Sequence, residues 1–281
     1  MSAPDLSLNN LFNVKGKVAL VTGGGTGIGK MIAAALVQNG AKVYIASRKL
    51  SVVQEAAAEL TAMGPGTCIA LQADLGSKAQ SVALAEQLKQ KESKLHILVN
   101  NAGMAWGSNL DDFDEKNGWD RLMALNVKSV FYMTSVLLPL LEAGSAGNQD
   151  PARVINISSV AGSACSAEDG LSAPGNGTWS YATSKAAVNH LTRTLALPLA
   201  RRTIVVNAIA PGVFPSRMTK FGIDHGLSIM EKSQPLGRIG TTEDMAGLAL
   251  FLCSRASAHI TGAVIPIDGG ATLNVTGLSK L

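Results

Sequence analysis

The sequence predicts an α/β fold: a single domain organised on a doubly wound, seven-stranded parallel sheet. Three observations predict it. Short apolar runs alternate with helical patterns at the pace of βα units. The runs are continuously apolar, as expected of strands covered on both faces. The first of them, Val18-Ala-Leu-Val21, breaks into five glycines within the seven residues Gly23 to Gly29 and then resumes with helical spacing.

In chain order, strands are expected near Lys17 to Thr22, Lys42 to Ser47, Thr67 to Gln72, His96 to Val99, Arg153 to Ser158, Ile204 to Ala210 and Val264 to Ile267. Helices are expected between them at Gly29 to Asn39, Leu50 to Met63, Lys78 to Lys91, Trp119 to Leu141, Tyr181 to Leu197 and Thr242 to Cys253. The segment Trp119 to Leu141 carries more apolar residues than one buried stripe needs, among them Leu122, Val127, Val130, Phe131, Leu137 and Leu140. That surplus points to a subunit interface. No internal repeat or low-complexity tail divides the chain, so residues 1–281 read as one domain with its core at about 15–270.

Composition narrows the function. With 281 residues, 47% of them hydrophobic and 16% charged, the chain can bury a large core without disulfides or metals. The formal charge of +4 comes without any Lys/Arg block or aromatic-basic interleaving, which argues against a nucleic-acid partner. Cys68, Cys165 and Cys253 are an odd number without Cys-x-x-Cys spacing, so a reduced, intracellular chain is expected. His96, His190, His225 and His259 are scattered singly, and no metal site is expected. Met1 to Asn13 lacks the charged start and apolar core of a secretory signal, and no run approaches the roughly 18 apolar residues of a membrane span. The chain closes on Ser279-Lys280-Leu281, the peroxisomal import tripeptide.

The glycine loop carries the first chemistry. Gly23 permits the tight turn out of the strand, Gly27 lets backbone approach a phosphate, and Gly29 lets the next helix pack close to the sheet. Thr26, Gly27, Ile28 and Gly29 open that helix, whose unpaired N–H groups and positive dipole end face an anion. Strand before, helix after and a second strand about 20 residues on make this a Rossmann-type dinucleotide site rather than a flexible hairpin. The second strand ends in Ser47-Arg48-Lys49, without the carboxylate that would accept hydrogen bonds from the ribose of NAD. A guanidinium grips a phosphate through two parallel bonds, so Arg48 favours the 2′-phosphate of NADP(H), although a solvated loop charge would look the same.

The second chemistry lies downstream. Arg153-Val-Ile-Asn-Ile-Ser-Ser159 reads as a strand ending in two serines, and Tyr181-Ala-Thr-Ser-Lys185 opens a helix that turns both Tyr181 and Lys185 to one face. An unperturbed phenol, with a pKa of about 10, is ionised to only about a thousandth at pH 7. A neighbouring ammonium favours the phenolate, and bringing the pKa to 7 would take about 4 kcal/mol. That would make Tyr181 a usable acid or base near neutrality. Asn126 stands in mid-helix, where asparagine is a poor helix former with no evident reason to be there.

Taken together, Thr22-Gly-x-x-x-Gly-Ile-Gly29, Val99-Asn-Asn-Ala-Gly103, the strand-end serines, Tyr181-x-x-x-Lys185 and Ala210-Pro-Gly-Val-Phe-Pro-Ser216 resemble the short-chain dehydrogenase/reductase family from about Lys15 to Gly270. Longer runs, including Pro-Ala-Arg-Val-Ile-Asn-Ile-x-Ser and Val-Ile-Pro-Ile-Asp-Gly-Gly, look like its rhamnolipid-pathway branch of 3-oxoacyl-carrier reductases. The resemblance implies that Tyr181 protonates the substrate carbonyl, Ser159 (rather than Ser158) hydrogen-bonds it, Lys185 binds the nicotinamide ribose and tunes Tyr181, and Asn126 orders a relay water. It places Asp74 and Leu75 at the adenine, with Asp74 also able to cap the following helix, and Asn100, Asn101, Ala102 and Gly103 on the cofactor side. It sets Pro211, Gly212, Val213 and Ser216 at the nicotinamide end, with Ser216 replacing the family's usual threonine. Family members usually form tetramers.

One departure is a Gly/Ser/Ala-rich stretch at 162–180, longer than the family's usual connection, which should form part of the substrate rim. The expected function is NADPH-dependent reduction of a small-molecule carbonyl, with a 3-oxoacyl thioester preferred. Three alternatives stand: a cyclic or aromatic ketone of secondary metabolism, an enoyl thioester, and a catalytically silent NADP-binding scaffold.

Overall fold

The computed structural model describes residues 3–164, 167–168 and 175–273. Cys165, part of the 162–180 stretch, the approach Asn274 to Gly277 and the tripeptide Ser279-Lys280-Leu281 lie outside the described residues. Seven parallel strands form one sheet: β1 (Val18–Thr22), β2 (Lys42–Ser47), β3 (Thr67–Gln72), β4 (Ile97–Asn100), β5 (Ala152–Ile157), β6 (Ile204–Pro211) and β7 (Val264–Ile267). Their order is β3-β2-β1-β4-β5-β6-β7. β1 sits between β2 and β4, with Val21 opposite Ile45 on one side and Val99 on the other. The strand order reverses there, so the loops leaving β1 and β4 open on one crevice at the carboxyl edge of the sheet.

Strand residues alternate between two apolar layers. Ala19, Val21, Val43 and Ile45 face α2 (Gly27–Gln38), α3 (Leu50–Ala62) and α10 (Thr242–Cys253). Val18, Leu20, Leu98, Val154 and Val206 face α4 (Lys78–Lys89), α6 (Ser129–Val136), α7 (Leu138–Gly144) and α8 (Trp179–Ala200). Every residue of β1, β4, β5 and β6 is buried, Arg153, Asn156 and Asn207 included, which is why apolar residues occupy both faces of these strands instead of one. Among the described residues no single helix is long and apolar enough to cross a membrane.

The expected continuous helix from Trp119 to Leu141 is not continuous. π-helical turns at Glu115–Asp120 and Ala124–Lys128 flank the one-turn α5 (Arg121–Met123), and α6 and α7 meet at a 58° bend. Pro139, in the first turn of α7, has no N–H with which to carry the ladder through. Much of the apolar surplus is also absorbed within the subunit: Leu122, Met133 and Leu137 are fully buried. What remains outward is a groove of about 370 Å³ between Val127, Phe131 and Tyr132 on one side and Ala187, His190 and Leu191 of α8 on the other. Two further helices escape sequence patterning, α1 (Leu8–Leu11) and α9 (Lys220–Ser233). α9 is interrupted by non-helical backbone at Gly226, which breaks its periodicity.

Candidate active site

The glycine loop is a cradle that side chains would fill. A Cβ at Gly29 would stand 2.5 Å from the Gly23 carbonyl oxygen and 2.4 Å from Asn101 Nδ2, so only glycine lets α2 start this close to the sheet. Gly23 and Gly27 both have positive φ, +66° and +54°. Thr26 precedes α2 in an extended conformation and makes no side-chain cap bond, so no hydroxyl from the N-cap closes off the helix start. The loop is tied to β4: Thr22 Oγ1 accepts from Asn101 N and Ala102 N, each at 3.0 Å, and Asn101 Nδ2 donates to Thr22 O at 2.9 Å. Thr22, which in the sequence reads only as the last strand residue and the start of the glycine motif, is thus the organiser of this turn. The segment after β6 closes over it, because a Cβ at Gly27 would meet Ser216 Cβ at 3.0 Å.

At the other end of the crevice Arg48 and Lys49 are exposed beyond β2, with Ser47 half-buried beside them. Asp74 is also exposed; its carboxylate accepts from Gly76 N at 3.2 Å. It does not cap α4. Ser77 takes that place, accepting from Gln80 N, because it stands immediately before the helix and Asp74 three residues too early. Leu75 turns its side chain into the core, leaving only its backbone to the crevice.

Asn100 departs from expectation as well. It is 3% exposed and faces into the sheet, donating from Nδ2 to Thr134 Oγ1 at 3.2 Å and to Asn156 Oδ1 at 3.0 Å, while Asn156 Nδ2 donates to Thr192 Oγ1 at 3.0 Å. This string locks β4, β5, α6 and α8 together. Asn101, Ala102 and Gly103 are the members of the run that reach the crevice.

The residues expected to do chemistry converge beside it. Lys185 is buried, its Nζ donating to Ile157 O at 2.8 Å and lying 5.5 Å from the centroid of the Tyr181 ring. Burial pulls its ammonium from 10.5 down to about 8. A Cβ at Gly103 would be 3.3 Å from Asn126 Oδ1 and 3.8 Å from Lys185 Nζ, so the β4 loop passes directly over both. The turn after Ser159 presses on α8 at the same level: a Cβ at Gly162 would be 2.6 Å from the Lys185 carbonyl carbon.

The two strand-end serines separate cleanly. Ser158 is 2% exposed and its hydroxyl lies 2.6 Å from Asn189 Oδ1 and 3.1 Å from Lys185 O, locked to the back of α8. Ser159 begins the next short turn at the edge of the cleft, where its Oγ accepts from Ala161 N at 3.1 Å. Its hydroxyl hydrogen is not used by that bond.

Asn126 is completely buried, and its amide has protein partners throughout. Oδ1 accepts from Met104 N at 2.9 Å, and Nδ2 donates to Met104 O at 2.9 Å and Ser184 Oγ at 3.0 Å. Ser184 Oγ in turn donates to Tyr181 O at 2.7 Å. Both amide hydrogens are therefore committed to protein acceptors, and the side chain ties the β4 loop to the Tyr181 turn. Ser184 and Asn189 were hidden in the sequence because serine and asparagine on a helix carry no distinctive spacing. Pro211, Gly212 and Val213 follow β6 at the same edge, where a Cβ at Gly212 would press 2.9 Å from Asp268 Cα. The Ser216 hydroxyl lies 2.9 Å from Thr219 Oγ1.

Comparison with known proteins agrees with this architecture. A family model described as "Enoyl-(Acyl carrier protein) reductase" matches residues 23–272. The "Rhamnolipids biosynthesis 3-oxoacyl-[acyl-carrier-protein] reductase" of Pseudomonas aeruginosa is 46% identical over 261 residues, covering 92% of this chain and 97% of the relative. "Short-chain dehydrogenase/reductase PhomF" of Diaporthe leptostromiformis is 35% identical, covering 97% of each. Among solved structures, the "Pseudomonas aeruginosa RhlG/NADP active-site complex" superposes with a TM-score of 0.84 at 45% identity, covering 93% of this chain and 98% of that one.

Proposed function

The chain belongs to the short-chain dehydrogenase/reductase family, and from that premise we propose that it is an NADPH-dependent reductase that converts the 3-oxo group of an acyl thioester to an alcohol. The observation that carries this reading is the pairing of Tyr181 with Lys185, whose Nζ reaches the end of β5 just before Ser159, beside a glycine cradle shaped for a dinucleotide. The cradle fits NADP(H): Gly23, Thr26, Gly27, Ile28 and Gly29 would hold the pyrophosphate, Arg48 and Lys49 the 2′-phosphate, and Gly103 and Lys185 the nicotinamide half. When bound, the cofactor supplies the hydride.

The remaining chemistry belongs to this chain. Ser159 offers its hydroxyl hydrogen to the substrate oxygen and holds the carbonyl at the cleft edge. Tyr181 donates the proton that completes the alcohol. Lys185 places a cation behind the phenol ring, which favours the phenolate left after transfer. Asn126 and Ser184 set the height of the Tyr181 turn against the β4 loop, and so act as positioning residues.

The thioester is supported by the activity printed for the Pseudomonas relative, and enoyl reduction is the competing reading carried by the description of the matched family model. NADPH oxidation against a panel of 3-oxoacyl-CoAs, enoyl-CoAs and cyclic ketones separates them. Activity confined to either of the last two would overturn the preferred substrate. For the cofactor, NADPH should bind more tightly than NADH, and Arg48→Ala should narrow the gap by about tenfold, the scale of one lost charge-assisted hydrogen bond. Fluorescence titration that gave equal affinities in the original protein would contradict the role of Arg48.

Assembly and location extend the proposal. The exposed Phe131 and the groove it shares with α8 suit pairing with a second copy, toward a tetramer; light scattering that returned a monomer at micromolar concentration would refute this. Ser279-Lys280-Leu281 would address the enzyme to peroxisomes. A fluorescent protein fused at the N-terminus should then give puncta that disperse when the tripeptide is deleted, and diffuse signal from the intact fusion would end the idea.

A further inference from the structure

Two loops leave the edge of the cleft, one past Gly103 and the other past Gly162, both of which pack against Lys185. The first leaves β4 and runs from Asn101 to Asp114; the second follows Ser159, and its described residues are 160–164, 167–168 and 175–178, the last of which lead into α8. Their described residues are fastened to each other. Ser108 N donates to Gly177 O at 3.2 Å and Gly177 N donates back to Ser108 O at 2.9 Å, an isolated antiparallel bridge. The indole N–H of Trp179 donates to the same Ser108 oxygen at 3.3 Å. Gly177 lies flat against that indole: a Cβ there would come within 2.4 Å of Trp179 Cε2 and 2.8 Å of Nε1. The neck of the second loop is closed by Thr178, whose N and Oγ1 both donate to Ala167 O, at 2.8 and 3.2 Å.

The same contacts hold the start of the helix that carries Tyr181. α8 begins at Trp179 and has no side-chain cap from Thr178. Its first turn is held sideways instead, by Trp179 to Ser108 O and by Ser180 Oγ, which donates to Gly118 O at 2.5 Å. A helix start without a cap frays unless something else binds it, so the spacing of the two loops and the seat of this first turn are set by one small group of bonds.

We propose that the clasp of Ser108, Gly177 and Trp179 determines substrate specificity: it holds the two walls of the cleft together, so that a slender linear 3-oxoacyl chain is admitted and a bulky ring carbonyl is refused. Trp179 is a specificity-determining residue in this arrangement, acting through the position of the walls rather than on the reacting atoms. The inference rests on the acyl-thioester reading for the identity of the favoured substrate, and on the geometry alone for the existence of the clasp.

The test measures kcat and KM for linear 3-oxoacyl-CoAs and for cyclic ketones, with NADPH affinity measured separately. Trp179→Phe keeps the aromatic packing and removes the N–H; Gly177→Ala drives a methyl into the ring. Each should reduce the preference for linear over cyclic carbonyls by about five- to tenfold, the scale of one hydrogen bond, through KM and with NADPH affinity unchanged. In a Trp179→Ala background the Gly177→Ala change should have little further effect, because the atoms it collides with are gone. Unaltered preference in both single variants overturns the proposal. So does a parallel fall in turnover and NADPH affinity, the mark of general unfolding, or full additivity of the two changes. Should the original protein reduce cyclic ketones only, the acyl reading falls by itself, and the clasp still requires both variants to shift selectivity between small and bulky rings.

Discussion

Tyr181→Phe is expected to lower turnover by about 10²- to 10⁴-fold while leaving NADPH affinity within about threefold of the original, because positioned proton transfer contributes on that scale. The substitution removes one oxygen and nothing else. The ring keeps its place on the first turn of α8, the Tyr181 carbonyl still accepts from Ser184 Oγ at 2.7 Å, and Lys185 Nζ keeps its bond to Ile157 O at 2.8 Å. The glycine cradle lies on β1 and α2, which the phenol oxygen does not support. Steady-state NADPH oxidation combined with fluorescence titration of the cofactor separates the two effects. Full turnover in the variant would remove Tyr181 from the mechanism, and equal loss of binding and turnover would make it a structural residue. A catalytically silent scaffold predicts no turnover in the original protein at all.

The second large effect concerns Lys185. Replacement by methionine should cost turnover on the same scale, since the cation behind Tyr181 disappears, and should also change how stability depends on pH. The ammonium is completely buried and its pKa falls from 10.5 to about 8, which corresponds to about 3 kcal/mol of unfavourable burial in the charged form. The sign follows from proton counting. Below pH 8 Lys185 is charged in both the folded and the unfolded chain, and the folded state carries the whole cost. Between about 8 and 10.5 only the unfolded chain keeps the proton, so the stability of the original protein rises with pH through this window. Methionine has no proton to exchange. Urea unfolding of the cofactor-free proteins should therefore show the difference between original and variant moving in favour of the original by about 3 kcal/mol from pH 7.5 to 10.5. Loss of the bond to Ile157 O adds an offset that does not depend on pH. A difference that stays flat across this range would show that burial does not depress the lysine.

The fold was legible wherever one local pattern has one physical solution. β2, β3 and β7 have the bounds expected from their apolar runs and the residues flanking them, and α10 lies where a Thr241 cap and Cys253 bound its helical pattern. Legibility failed where distant residues decide. The run from Trp119 to Leu141 has helical spacing throughout, yet π-helical turns and the bend before Pro139 divide it. Asn100 and Asn101 are adjacent and chemically identical. Strand alternation points the first into the sheet toward Thr134 and Asn156 and leaves the second at the crevice against Thr22.

By itself the sequence determined the parallel sheet, the glycine cradle, the cationic strand end at Arg48 and the pairing of Tyr181 with Lys185. Each depends on spacing along one strand, one turn or one helix, and backbone geometry converts such spacing into position directly. Only the tertiary structure decided that Ser158 is locked to Asn189, that Asn126 holds Met104 and Ser184, and that Gly177 and Trp179 bind the far loop at Ser108. These are pairings between side chains and backbone tens of residues apart. A buried polar group takes whichever partner packing brings within reach, because leaving it without one costs about 1–3 kcal/mol, and no local pattern records which partner that is.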